Sequence, residues 1–315
     1  MPTTEWGILI VNYLFLGGLS AGIFFVSALA GYLHQDGERR YERIAQLGAW
    51  IAPWPVAIGS ILLIFDLGNW YRFYKLFLHF QWQSPMSIGS WLLVLFNVVA
   101  LVFCWMWLPA DRRAAFVKMC RLPRSLDQDF SRWRPMVAAI GFPLSVGVGI
   151  YTGVLLGAVQ ARPFWNTNLV AQMFLCSALS TGCAVLILAL YYAGRRVDPA
   201  EIRFLYSLDI CLMALEFFIV VPYLIHGELS VEAVRQSLEL VLGGPYTMPF
   251  WVLFMGAGLL APLAVEVWEM APVVVAGRPM HLSRGLAAFT GGMVLFGGYM
   301  LRYVFVYAGQ MSSFR

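Results

Sequence analysis

The residues of this chain that could do chemistry are the ionisable and hydroxyl-bearing side chains set inside long apolar runs. Such groups are costly in that setting and are kept for a partner or a task. Tyr13, Asp66, Tyr151 with Thr152, and Arg302 with Tyr303 form one set, and Asp209 with Glu216 forms another. Tyrosines and a carboxylate brought together can hydrogen-bond carbonyl oxygens and exchange a proton with them. Asp209 and Glu216 are seven residues apart, nearly two helical turns, so on a helix they share a face and can relay a proton part of the way along it. Each residue has a competing explanation. A tyrosine near a membrane surface belongs by default to the interfacial aromatic belt, and Asp66 can pair with Arg72 or Arg302 for structural reasons. Glu266 and Glu269, near the end of an apolar run, are expected to be solvated among headgroups.

The elements that must position these residues follow from composition. Of 315 residues, 60% are hydrophobic and 16% aromatic, while 12% carry a charge; a soluble domain carries roughly twice that share of charge. With 21 basic and 17 acidic residues, the chain cannot clothe a soluble fold. Disorder, collagen and nucleic-acid binding are excluded on the same grounds. A spanning helix needs about 20 mostly apolar residues. Eight such stretches are present, at 6–33, 44–66, 88–109, 135–159, 166–194, 204–226, 248–270 and 285–308. They are too long and too uniformly apolar for barrel strands. The fold expected is an all-α integral membrane protein with eight transmembrane helices.

Orientation follows from the basic residues, which cytoplasmic loops retain. The loops after spans 1, 3, 5 and 7 hold 15 of the 21, among them Arg39, Arg40, Arg43, Arg112, Arg113, Lys118, Arg195 and Arg278. The opposite side holds Arg72, Lys75, Arg162, Arg235 and Arg315, and Arg302 lies within span 8. Both termini are therefore expected on the non-cytoplasmic side. On this topology Tyr13, Asp66, Tyr151 and Arg302 all fall in the non-cytoplasmic half.

The remaining features narrow the chemistry. Five cysteines show no C-x-x-C spacing, so neither an iron-sulfur cluster nor a zinc site is written here. Met1 to Glu5 shows neither a basic region nor a small-residue cleavage pattern, so the first run is expected to be retained as a span. The small residues Gly17, Gly18, Ser20, Ala21 and Gly22, with Ser177, Ser180, Thr181 and Gly182, suit close helix packing. Residues 229–242 carry Val231, Val234, Leu238 and Val241 at helical spacing, which reads as an amphipathic helix on the outer surface or part of a docking face. F-L-G-G-L-S-A-G (Phe15 to Gly22) faintly repeats as F-L-C-S-A-L-S-T-G (Phe174 to Gly182), with a one-residue offset. Both copies start from the same side, which suggests two parallel four-helix halves, 1–160 and 161–315. His34 and His281 fall at cytoplasmic ends and His79 and His226 at outer ends, so no haem ladder connects the two faces. Electron handling would then need a diffusible carrier, and a quinone suits a tyrosine and a carboxylate facing the same side.

Five stretches carry a resemblance over essentially the whole chain: Y-L-F-L-G-G-L-S-A-G (Tyr13 to Gly22), S-P-M-S-I-G-S-W (Ser84 to Trp91), Y-T-G-V-L-L (Tyr151 to Leu156), L-S-T-G-C-A (Leu179 to Ala184) and L-R-Y-V-F-V-Y-A-G-Q (Leu301 to Gln310). In them the sequence resembles the NrfD-like, polysulfide reductase membrane-subunit family of quinol-oxidoreductase subunits. The resemblance implies an anchor in a bacterial inner membrane, with no haem or iron-sulfur cluster of its own, that reacts with menaquinone or ubiquinone near the periplasmic face. It also implies a ferredoxin-like iron-sulfur partner on that face and a further catalytic subunit, a molybdopterin enzyme or a multihaem cytochrome. Carried over by position, the quinone pocket falls on Tyr13, Asp66 and Tyr151, with Gly18 and Arg72 beside it, and Asp209, Glu216 and Arg302 match positions associated with proton movement. L-G-N-W (Leu67 to Trp70) departs from the L-x-R-P of many relatives, which leaves open the arginine's role, with Arg72 one turn away. The function expected is electron exchange between quinol and an iron-sulfur partner, with proton translocation as an addition. The alternatives are a proton-coupled secondary transporter using Asp209, Glu216 and Arg302, and an inert anchor.

Overall fold

The computed structural model describes residues 6–33, 41–66, 81–121, 123–193, 198–277 and 284–312. Its described secondary structure is helical throughout, with eight helices long and apolar enough to cross a membrane. These are span 1 (Ile8–Leu33), span 2 (Glu42–Phe65), span 3 (Pro85–Met106), span 4 (Ser131–Gly157), span 5 (Leu169–Tyr192), span 6 (Pro199–Glu228), span 7 (Pro249–Ala276) and span 8 (Arg284–Met311). The expected amphipathic surface helix is present at Glu232–Leu242.

Local chemistry sets the ends and the breaks. Span 3 starts where the Ser84 hydroxyl accepts a hydrogen bond from the Ser87 amide, with Pro85 in the first turn. Span 6 starts in the same way at Asp198, whose carboxylate accepts from the Ala200 amide at 2.9 Å ahead of Pro199. Span 2 is a helix to Ile51 followed by a second from Pro53. Pro53 and Pro55 each remove a donor there, and the Ser20 hydroxyl of span 1 donates across to the Ala52 carbonyl. The first half of span 7, Pro249–Leu260, winds as a π-helix, a geometry that recurs at functional sites.

Spans 1 and 5 form the centre. Span 1 packs against spans 2, 4, 5 and 8, and span 5 against spans 1, 4, 6 and 8. The two cross where a Cβ on Gly22 would run into the Ala178 carbonyl and one on Gly182 into the Gly22 backbone. Their small residues therefore serve close approach, as such residues do where lipid supplies no hydrophobic drive. Replacing Gly182 with leucine is expected to destabilise the full chain in detergent by about 3 kcal/mol, because the obstacle is backbone that cannot yield. Gly292→Ala faces open space and should leave the melting temperature unchanged or slightly raised.

Candidate functional site: a tyrosine pair and a buried polar column

Tyr13 lies two turns into span 1 and Tyr151 near the end of span 4, so alternating spans bring them to one end of the bundle. Both are buried, at 1% and 6% exposure. Their hydroxyls lie close together, yet the Tyr13 oxygen, sealed from solvent, has no aligned hydrogen-bond partner. Buried hydroxyls are nearly always satisfied, so the nearest group available to the Tyr13 oxygen is the Tyr151 hydroxyl beside it. Gly89, at the start of span 3, makes the pair possible, because a Cβ there would overlap the Tyr151 ring and hydroxyl. It stands inside the S-P-M-S-I-G-S-W stretch, and its spacing alone gives no sign of this role. Thr152 is satisfied within its own helix, donating to the Gly149 carbonyl at 2.7 Å.

The helix of span 2 runs on to Asp66, whose side chain lies outside the described residues, as do all of Arg72 and Asn69. The span nevertheless approaches the tyrosines, since a Cβ added to Gly59 would stand 3.5 Å from the Tyr13 carbonyl oxygen and 3.6 Å from its ring.

Arg302 is fully buried at the meeting of spans 1, 5 and 8. Its guanidinium donates to the Ser177 hydroxyl at 3.0 Å, to the Gly298 carbonyl at 2.6 Å and to the Phe174 carbonyl at 3.2 Å. Phe174 and Phe15 cover it with ring faces at 5.2 and 5.8 Å. Gly18 lies against this arginine: a Cβ there would stand 2.9 Å from its Nη2. Gly18 thus makes room for the guanidinium fork. Tyr303, the neighbour of Arg302, instead packs on Tyr307 with ring centroids 4.7 Å apart.

Asp209 is fully buried and accepts from the Ser180 hydroxyl at 2.5 Å, while its second oxygen has no partner. Glu216, 3% exposed, sits beside Ser177 and within electrostatic reach of Arg302. A small cavity lined by Ser177, Ser180, Glu216 and the π-helical Phe254 and Gly258 lies along this column. Glu266 corrects the sequence expectation. It is 1% exposed and faces Asp209, with Glu269 behind it. The reason is that span 7 continues to Ala276, so Glu266 lies well inside the helix rather than at its end. Glu269, half-buried, has one oxygen shielded and unpartnered. Glu201, a further buried acid of span 6, accepts from the Arg43 amide at 3.2 Å. Composition alone gives no warning of it, because it stands in the first turn of its helix.

Eight apolar helices, two of them crossing at the centre, with ionisable groups buried in their interior, define a multi-pass membrane protein. The sequence matches the family model described as Polysulphide reductase, NrfD, over residues 1–313, and it belongs to that family. It is 29% identical to the C subunit of polysulfide reductase from Wolinella succinogenes and 28% identical to protein NrfD of Escherichia coli strain K12, in each case over 98% of this protein and 95% of the relative. It is also 29% identical to the Hdr-like menaquinol oxidoreductase integral membrane subunit of Archaeoglobus fulgidus, over 78% of this protein and 58% of that one.

Proposed function

We propose that the protein is the quinol-reacting membrane subunit of a respiratory oxidoreductase complex, with its site at the tyrosine pair. The observation that carries this reading is the Tyr13 hydroxyl, buried, unpartnered and beside Tyr151. Two buried phenols side by side suit the oxygens of a quinone ring. When bound, a quinone supplies a two-electron, two-proton carrier that reaches the site through the lipid. Tyr13 and Tyr151 orient the ring by donating to its oxygens, Asp66 exchanges the proton, and Arg72 adds positive charge at the rim. Gly18 contributes by admitting Arg302 behind the pocket. That a named relative is a menaquinol oxidoreductase subunit supports the choice of menaquinone or ubiquinone.

Several parts of this reading rest on pattern and on the family. A ferredoxin-like iron-sulfur subunit would dock on the face nearest the tyrosines and pass electrons to a further catalytic subunit, a molybdopterin enzyme or a multihaem cytochrome. The excess of basic residues after odd-numbered spans supports termini and a quinone site on the periplasmic face of a bacterial inner membrane. Two four-helix halves, 1–160 and 161–315, are supported by packing that recurs after an interval of 160 residues. Span 1 packs on spans 2 and 4 as span 5 packs on spans 6 and 8, and span 1 meets span 8 as span 5 meets span 4. The column Glu269, Glu266, Asp209, Glu216, Arg302 is the proposed proton route, with Ser180 and Ser177 bridging its steps. The same column favours a second reading, a proton-coupled transporter, which predicts solute flux in vesicles where the quinol reading predicts none.

Titration of the purified full chain with a naphthoquinone analogue tests the site. Tyr13→Phe is expected to weaken binding roughly tenfold, the worth of one buried hydrogen bond. An unchanged affinity would remove the tyrosine pair from the site.

A further inference from the structure

A cavity of about 310 Å³ opens at the same end of the bundle as the tyrosine pair, but in the second half of the chain. Its walls come from the turn before span 5, the end of span 6 and the surface helix, through Phe164, Asn166, Thr167, Tyr223, His226 and Ser237 among others. That size falls within the range of small-molecule sites. We propose that this cavity is a second binding site for a lipid-borne quinol headgroup, a holding site that adds no chemistry of its own; the ligand class rests on the reading of the tyrosine pair given above.

Three observations select this occupant. First, among the described residues lining the cavity there is no lysine, arginine or carboxylate. A phosphate headgroup would therefore find no counter-charge, whereas a neutral ring with hydrogen-bonding oxygens meets hydroxyl, amide and imidazole groups. Second, the cavity opens beside an exposed apolar side chain of its own lining, Val231, which is 63% exposed. An apolar rim at a helix end, where the aromatic and headgroup layer begins, admits an isoprenoid tail and gives a water-soluble ligand nothing to hold. Third, the floor is fixed. The Tyr223 hydroxyl donates to the Phe164 carbonyl at 3.0 Å, and the Phe164 and Tyr223 rings meet edge to face at 5.9 Å. Trp165, next to Phe164, is pinned to the Phe305 carbonyl at 2.7 Å. The ring wall is thus preorganised, and the polar groups left for a ligand are Asn166, Thr167 and His226.

The test is photolabelling of the full chain in proteoliposomes with a photoreactive azidoquinone, followed by peptide mapping with and without excess unlabelled quinone. The expected result is competable label in two regions, one around Tyr13 and Tyr151 and one within 163–167 or 223–238. Val234→Trp, which fills the cavity, should lower label in the second region about tenfold and leave the first intact. His226→Leu at the exposed rim burdens the fold less and should lower it several-fold. Label in the first region alone overturns the second site and leaves the tyrosine pair standing. Label in the second region alone supports the second site and removes the tyrosine pair. Label in neither overturns both, and second-region label that persists in both variants or resists competition is partition into lipid and overturns the second site.

Discussion

Replacing Asp66 with asparagine is expected to abolish quinol-coupled electron flow in the assembled complex while leaving assembly intact. The expectation rests on where the backbone carries this residue. Gly59 faces Tyr13, since a Cβ on it would reach that residue at 3.5 Å, and Asp66 lies seven residues further along the same continuous helix, nearly two turns, and so on the same face. At a rise of about 1.5 Å per residue it stands about 10 Å beyond the Gly59 contact, toward the helix end. On the proposed reading the tyrosines hold the ring, and Asp66, further along the helix at its end, exchanges the proton. Asparagine keeps the size of aspartate but replaces one acceptor oxygen with an amide donor, carries no charge and cannot take up or release a proton. The loss should reach roughly a hundredfold to ten-thousandfold in turnover, the range for a positioned acid-base group. Asp66→Glu should retain part of the activity. Quinol oxidation by the purified complex, with the subunits quantified on the same sample, gives the answer; unchanged turnover in Asp66→Asn would sink the assignment.

The tyrosine pair is legible in the sequence because two simple rules act together. Apolar length marks the spans, and successive spans run in opposite directions, so residues early in span 1 and late in span 4 must share one end. The partners that complete the site are harder to see. Gly89 reads as one more small residue in an apolar run, and only the Tyr151 ring lying over it shows its use. Ser177 and Ser180 likewise pass for packing residues, yet one accepts from Arg302 and the other donates to Asp209. Glu266 reads as a helix-end residue when the span is ended at residue 270, just short of Pro272. The helix runs on through Pro272, since the groups a proline frees near a helix end can be satisfied locally. Hydropathy starts span 6 five residues late for a related reason: Asp198 and Pro199 begin a helix whose first turn is polar. The π-helical winding of span 7 has no signature in hydropathy, because it changes the turn and leaves the composition untouched. Its effect is local and specific, bringing Gly258 against Gly297 and Phe254 to the cavity beside Glu216.

Arg302→Met is expected to lower the stability of the full chain in detergent by about 3–5 kcal/mol and to abolish turnover. The arginine is fully buried, and its fork joins spans 5 and 8 through the Phe174 carbonyl, the Ser177 hydroxyl and the Gly298 carbonyl. Removing it takes one donor from each of those acceptors and leaves Glu216, which lies beside Ser177, without the cation within its reach. Lysine should rescue only in part, because one ammonium cannot span the acceptors that a planar fork reaches together. Gly18→Ala offers a milder perturbation of the same centre: its Cβ would stand 2.9 Å from the guanidinium and 3.3 Å from Ala178, so the fork must shift. The decisive comparison is a double-mutant cycle. If Glu216 answers the charge of Arg302, then Arg302→Met combined with Glu216→Gln should cost less than the sum of the single changes, by about 1 kcal/mol or more. Additive losses in thermal unfolding would mean that Arg302 serves packing and backbone hydrogen bonding alone, and the proton route would then end at Glu216.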